Sequence, residues 1–572
     1  MVTRLTPDRF ERRIRQIGRD LLVRARAAEP SVFRMDWWDQ RLMDLVTADP
    51  RVKVQLFRFI DVLPALSSPA KVASHLKQYM GGMEDRLPAI LRLGLAYRRP
   101  TSVLAHASAT AAGIHAGRMA RRFVCGANAQ DALRSIMRLR GQRMCFTVDI
   151  LGEATTSRSR ADDYQRRYLE LIEALVPAVH ALPPVEQVDA GPDGPLPRVN
   201  VSVKLSALSP HFDPIDPVRL KRDVGQRLRP ILLRARQLGA FINFDIEQYA
   251  YRDVTIELIQ EVLTEPEFRD WPEVGTVVQA YLKDAEEHFD ALLSWVRGRG
   301  TPITVRLVKG AYWDHETVNA IRDRKPIPVF TEKWQSDACF ERLAARLMRN
   351  HRWLRPALAS HNVRSLAAGI AAAQREGLSP AHYEVQMLYG MGDPLKEALV
   401  DAGYRLRVYA PYGELLPGMA YLIRRLLENT SNESFLKHSF SEGWGEEELL
   451  ADPQKVGRSA PPTPLPRCVS RTCFDDEEIE MPPFENVPDT GFGSPANQRA
   501  MRAALTEARR AFGKKYPLII GGQRVDSDAW YASVNPANPA EIVGRVAQAD
   551  GQHADRAVQA ALRAFPDWAA TP

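Results

Sequence analysis

Cysteine is scarce in this 572-residue chain: Cys125, Cys145, Cys339, Cys468 and Cys473 are all there is, an odd number spread over the whole length. Such usage excludes a disulfide framework and points to a reducing compartment. Cys468 and Cys473 lack partner ligands and read as linker residues, so no metal site is expected. Long apolar runs are missing too, and nothing approaches the roughly 18 residues of a membrane helix. Nor does one sign of charge dominate. The 77 basic and 70 acidic residues leave a net +7, a mild bias toward anionic ligands and far from a nucleic-acid-binding tail. Arginines crowd the N-terminus as in a transit peptide, but Asp8, Glu11 and Asp20 interrupt them. Ile14, Ile17 and Leu21 form a helical stripe there, so a folded helix of a cytoplasmic protein is expected.

The glycine-rich turn of a dinucleotide-binding, doubly wound sheet is also lacking. Gly390-Met391-Gly392 and Gly491-Phe492-Gly493 each miss the third glycine and the strand-to-helix context. What is present from 141 to 440 is an alternation of short apolar runs with helical stretches. Strands are expected at 144–148, 199–203, 241–244, 276–278, 304–308, 357–359, 383–385 and 406–409. Helices are expected at 218–237, 285–297, 331–349 and 365–375 among others. Eight such units in about 290 residues have the rhythm of a (β/α)8 barrel, with a doubly wound sheet as the competing α/β architecture.

Residues 1–140 read as a helical arm and α-domain, with stripes such as Phe57, Ile60, Leu63 and Leu91, Leu93, Leu95. Residues 441–515 have linker composition: Pro461, Pro462, Pro464 and Pro466 are followed by the acidic run Asp475–Glu480. A short helix at 500–511 is expected to follow. Residues 516–572 carry a strand pair turning at Gly521-Gly522, a strand at 541–546 and a helix at 554–565.

In a barrel, chemistry gathers at the C-terminal ends of the strands. Those ends carry Asp149 and Glu153, Lys204, Asp245 and Glu247, Gln279, Arg306 with Lys309, His361 with Asn362, Gln386, and Tyr409. A structural rim would show polar residues at one or two strands; nearly all of them is the pattern of a ligand site. Arg306–Asp314 puts two cations, Gly310, Tyr312 and Trp313 on one strand tip, which suits a flat, phosphate-bearing cofactor. Alone, that stretch fits a barrel strand with a solvated basic loop equally well. Further on, Tyr421, Arg424, Arg425 and Glu428 share one helix face and offer a fork for a carboxylate. Alone, they fit a solvated face with an Arg–Glu pair.

Taken together, these motifs resemble the proline utilization A family of bifunctional proline-catabolic enzymes. The resemblance rests on Asp149–Glu153, Val203-Lys204, Asn243-Phe244-Asp245-Ile246-Glu247, Gln279-Ala280-Tyr281, Arg306–Asp314, Ser360-His361-Asn362, Gln386–Gly392 and Tyr421–Asn429. It implies FAD-dependent oxidation of L-proline to 1-pyrroline-5-carboxylate, with a quinone at the membrane surface as electron acceptor. The enzyme is expected in the cytoplasm or peripherally at the inner membrane face, and as a homo-oligomer. Lys204, Arg424 and Arg425 are implied to hold the substrate carboxylate, Asp149 and Glu153 to pair with those arginines, and Tyr409 and Tyr421 to pack on the ring. Arg306 and Lys309 are implied beside the isoalloxazine. Asp245, Gln279, Val308, Gly310, Ala311, Tyr312, Trp313, Ser360, His361, Asn362, Gln386, Glu428, Ser434 and Phe435 are implied to make further cofactor contacts. Residues from 516 on resemble the start of an aldehyde dehydrogenase, whose NAD site and catalytic cysteine are expected beyond this sequence. Some members open on a DNA-binding ribbon-helix-helix; no such segment is read here, and no nucleic-acid partner is expected. The rival readings are a methylenetetrahydrofolate reductase, another FAD barrel, and a non-catalytic scaffold or regulator.

Overall fold

Between Cys145 and Tyr412, eight short runs of mostly buried residues form parallel strands of one closed barrel. They are β1 Cys145–Ile150, β2 Asn200–Val203, β3 Phe241–Phe244, β4 Val274–Gln279, β5 Ile303–Val308, β6 Leu354–Ala359, β7 Glu384–Leu388 and β8 Leu406–Tyr412. Each pairs with its sequence neighbours. β8 closes the ring on β1, from Cys145 opposite Arg407 to Ile150 opposite Tyr412. This closure excludes the doubly wound sheet. The computed structural model describes residues 7–28, 49–62, 66, 68–82, 110, 123–152, 155–413, 446–459, 487 and 489–571.

Side chains alternate across a strand, so every second residue points into the barrel. Phe146, Val148, Val201, Val203, Ile242, Phe244, Val305, Leu307, Val385 and Val408 belong to the continuous apolar core. The residues between them are polar: Asp149, Ser202, Asn243, Arg306, Glu384, Gln386, Arg407 and Tyr409. The lumen is therefore filled by a hydrogen-bonded polar network rather than by stacked Val, Ile and Leu layers.

Helices follow the strands: α2 Arg158–His180, α3 Pro217–Leu238, α4 Tyr249–Leu263, α5 Ala285–Arg299, α6 Lys333–Arg349, α7 Val363–Arg375 and α8 Asp393–Asp401. Ahead of them in the chain, α1 (Pro7–Ala27) buries Ile14, Ile17, Leu21, Leu22 and Ala25 and packs against α7 and α8. Each fully buried Leu or Ile contributes roughly 1.5–3 kcal/mol, so the stripe suffices to dock an arginine-rich helix. One ionic clasp fixes its register: Arg364 of α7 donates to both Glu11 oxygens at 2.7 and 2.8 Å and to both Glu341 oxygens at 2.8 and 3.1 Å. Further along, helices Pro50–Val62 and Pro69–Met80 bury Phe59, Val72 and Ala73 in a small cluster of their own. The stripe at Leu91, Leu93 and Leu95 lies outside the described residues.

Contacts divide the chain into two compact units, Met1–Pro488 and Asp489–Pro572. The second contains helix Pro495–Arg510, a hairpin of Leu518–Ile520 and Gln523–Val525, and a three-stranded sheet of Lys514–Tyr516, Trp530–Asn535 and Asn538–Ala547. Gly521 and Gly522 turn the hairpin with φ of 58° and 76°, the left-handed pair that a two-residue loop demands. Helix Gly551–Ala569 is capped by Asp550. The strand at Trp530–Asn535 was not expected from the sequence, and Pro536-Ala537 connects it to the strand Asn538–Ala547.

Candidate active site

Asp245, just past the end of β3, is the hub of the lumen. Its Oδ1 accepts from Arg306 Nη1 at 2.6 Å and from Ser202 Oγ and Asn243 Nδ2, each at 3.0 Å. Its Oδ2 accepts from the Tyr409 hydroxyl at 2.8 Å and lies 3.8 Å from Lys204 Nζ. Lys204 in turn donates to Asp149 from the neighbouring strand. Arg306 also donates through Nη2 to Ser202 Oγ at 3.2 Å and through Nε to Gln386 Oε1 at 2.7 Å. Its guanidinium carbon sits 5.0 Å from the centre of the Tyr409 ring. Residues from four other strands thus hold one planar cation in one orientation.

Two carboxylates and two cations out of water need this mutual pairing, since an unpaired buried charge is costly. Burial pushes the Asp245 carboxyl up, but Arg306 and Lys204 outweigh it and hold the group below the usual carboxylate range. Burial likewise pushes the Lys204 ammonium down, and Asp149 and Asp245 more than reverse it. Asp149 is the softer acid of the pair: burial raises it despite Lys204, and Asp245 adds repulsion. The site therefore sets two cations against two carboxylates, of which Asp245 is the more firmly ionised.

At the C-terminal mouth, the chain after β5 forms a strap against β4. Val308 and Lys309 carbonyls accept from the N–H groups of Ala280 and Tyr281 at 2.8 and 2.7 Å. Gly310 has φ of 141°, and a Cβ there would stand 2.3 Å from the Tyr281 ring, so only glycine fits. Trp313 Nε1 donates to the Phe330 carbonyl at 2.7 Å. Gln279 donates from Nε2 to the Ile246 and Glu247 carbonyls at 3.3 and 3.1 Å, while its buried Oε1 has no hydrogen-bond partner among the described residues. An orphaned buried acceptor at the mouth is what the N–H edge of a planar heterocycle satisfies.

Residues 132–438, more than half of the chain, match the family model described as "Proline dehydrogenase", and 11–123 match "Proline utilization A N-terminal domain". The chain belongs to the proline dehydrogenase family. Members of this family are flavin-dependent, and the orphaned Gln279 acceptor, the glycine strap and the fixed Arg306 fit such a group. The chain is 31% identical over 469 residues to "Bifunctional protein PutA" of Escherichia coli (strain K12), covering 79% of this chain and 34% of that protein. It thus spans about a third of the length of that relative. "Proline dehydrogenase 1" of Bacillus subtilis (strain 168) is 28% identical over 317 residues, 55% of this chain and 89% of that protein. Among solved structures, proline utilization A from Bdellovibrio bacteriovorus inactivated by N-propargylglycine superposes with a TM-score of 0.86 at 37% identity, covering 98% of this chain and 55% of that one. These matches do not favour the folate reductase reading.

Of the residues singled out in the sequence, the proline dehydrogenase barrel brings Asp149, Lys204, Asp245, Arg306, Gln386 and Tyr409 into one network. One placement, that of Lys309, differs from expectation, while the arginines expected to pair with Asp149 lie outside the described residues. Among the described residues Asp149 pairs with Lys204, which stands beside it on the adjacent strand. Lys309 turns away from Arg306 toward Asp337 of α6, because three positions separate it from an inward-facing residue. Ser360 Oγ accepts from Asn362 N–H at 3.0 Å, and Asn362 Oδ1 caps α7 by accepting from Ser365 N–H at 3.0 Å. His361 Nε2 accepts from Leu388 N–H at 3.0 Å. Glu153, Tyr421, Arg424, Arg425, Glu428, Ser434 and Phe435 lie outside the described residues. Ser202, Glu384 and Arg407 were missed, although polar residues at i and i+2 on apolar strands (Ser202 and Lys204, Glu384 and Gln386, Arg407 and Tyr409) were the signal for them.

Proposed function

We propose that the barrel oxidises L-proline to 1-pyrroline-5-carboxylate with FAD held across the mouth above β4 to β7. The observation that carries this reading is the Asp149–Lys204–Asp245–Arg306 network, which fixes two cations at the C-terminal ends of the strands. In this reading Lys204 takes the substrate carboxylate: an ammonium has three N–H groups, of which Asp149 engages one while Asp245 lies 3.8 Å away. Arg424 and Arg425 complete the clamp from the helix after β8, and Tyr409 and Tyr421 flank the ring. A clamped carboxylate leaves the ring one orientation, and that alignment carries much of the rate enhancement. FAD, when bound, supplies the acceptor for the hydride leaving the ring carbon beside nitrogen. Gln279, the 308–311 backbone, Tyr312 and Trp313, with Ser360, His361, Asn362 and Gln386, would hold it, joined by Glu428, Ser434 and Phe435. Arg306 stands where a cation favours the reduced, anionic form of the cofactor.

The same reading makes a membrane quinone the electron acceptor and a homo-oligomer at the inner membrane face the working form. Among the described residues no helix is long and apolar enough to cross a membrane. Residues 516–572 would open an NAD-dependent dehydrogenase domain for glutamate semialdehyde. The test is incubation of the purified protein with L-proline and an artificial electron acceptor. Accumulating 1-pyrroline-5-carboxylate in step with acceptor reduction supports the reading, and an acceptor left oxidised contradicts it.

A further inference from the structure

Below the catalytic network lies a second buried ion pair that neither binds substrate nor reaches the mouth. Glu384 Oε1 accepts from Arg407 Nε at 2.9 Å, and Oε2 accepts from Arg407 Nη2 at 2.9 Å; Arg407 Nη1 donates to the Phe146 carbonyl at 2.8 Å. Both residues are buried. A buried pair of this kind adds little net stability over an apolar pair of the same volume, so stability alone does not account for it. Its third contact does. Gln386, two residues along β7, donates from Nε2 to Glu384 Oε1 at 2.6 Å, while its Oε1 accepts from Arg306 Nε at 2.7 Å.

We propose that Glu384 is a positioning residue for the oxidation site, setting the orientation of the Gln386 amide and through it the guanidinium of Arg306. This rests on the proline-oxidation reading above. The logic is one of donors and acceptors. Arg306 and Arg407 can only donate, so the chain Arg306–Gln386–Glu384–Arg407 begins and ends in donors. It is satisfied only when residue 384 accepts on both sides. A carboxylate does so, and it forces the amide to present its oxygen to Arg306. With glutamine at 384, every orientation leaves one N–H facing another, either at Arg407 or at Arg306. In the second case the Gln386 amide flips, and Arg306 loses one of the contacts that hold its plane against Asp245 and Tyr409.

Glu384→Gln should lower kcat/KM for proline roughly 10- to 100-fold, the cost of a small misplacement of a group beside the reacting atoms. The loss should fall on kcat with little change in KM. The midpoint potential of the bound flavin, titrated with dithionite in the absence of proline, should move to a lower value. A protein inert to proline would thus sink the functional reading while leaving the potential to test Glu384. Crystals of the variant supply a readout that needs no bound group: Arg306 Nη1 should separate from Asp245. Glu384→Met combined with Arg407→Leu removes the charges but keeps the packing. It should melt at or above the wild-type Tm and still show the lowered potential. If this pair variant keeps wild-type potential and kcat/KM, Glu384 is only the counter-ion of Arg407 and the proposal is wrong. Should that variant not fold, the combination of Glu384→Gln with Gln386→Leu decides: its losses should equal those of Gln386→Leu alone, and additive losses would overturn the relay.

Discussion

Asp245 divides its two oxygens between Arg306 and Tyr409: Oδ1 accepts from the guanidinium at 2.6 Å and Oδ2 from the phenol at 2.8 Å. One carboxylate from β3 thereby ties β5 to β8 across the barrel. Asp245→Ala should leave Arg306 buried without its counter-charge and cost about 3–5 kcal/mol. Thermal unfolding should show a lowered Tm together with loss of proline oxidation. An unchanged Tm would mean that Arg306 finds other compensation and that Asp245 is not the hub.

The arginine fork lies outside the described residues, and its assignment rests on helical spacing and family resemblance. Arg425→Met should raise KM for proline strongly with flavin content near wild type, because a carboxylate contact made in ground and transition states alike is lost. Loss of flavin with unchanged KM in the remaining holoenzyme would move Arg425 to the cofactor.

Arg364 clasps α1 to the barrel through Glu11 and Glu341, with a further bond to the Leu450 carbonyl at 3.1 Å. Arg364→Met should leave two carboxylates facing each other and loosen the arm before the barrel. Backbone amides of Pro7–Ala27 should exchange faster by mass spectrometry while those of β1 to β8 keep their protection. Equal acceleration in both would show that the clasp stabilises the whole unit.

His288 of α5 has both ring nitrogens without a hydrogen-bond partner among the described residues, and burial beside Arg252 lowers its pKa to about 4. The unfolded chain, with a histidine near its ordinary value of about 6.5, binds the proton more readily than the native state between these limits. Stability should therefore fall as pH drops from about 6.5 toward 4, by on the order of 2–3 kcal/mol from this residue. Unfolding curves across that window should be flatter for His288→Phe than for wild type. Parallel curves would place the acid sensitivity elsewhere.

The barrel was legible because its strands are short apolar runs flanked by polar breaks. Phe241–Phe244 lies between the helix-ending Gly239 and the polar Asp245, and the strand has the expected limits. Val274–Gln279 is longer than the expected 276–278: Gly275 is a poor strand residue, and pairing with Thr304 overrides that local weakness. β8, expected at 406–409, runs to Tyr412 although Pro411 lacks an N–H. There the Pro411 carbonyl accepts from Cys125 N–H at 2.8 Å, so the proline serves as an acceptor only. In the site, residues at strand ends could be listed from spacing, but their partners could not. Asp149 finds Lys204, and Gln386 finds Arg306, through barrel closure over 55 and 80 positions of chain. Glu384 and Arg407 escaped because they sit at the starts of their strands, where no ligand chemistry is looked for.

Anaerobic addition of L-proline to the purified, flavin-loaded protein tests the central claim most directly. The yellow protein should bleach with L-proline and stay coloured with NADH. Bleaching by NADH but not by L-proline, or a protein that binds no flavin at all, would contradict it.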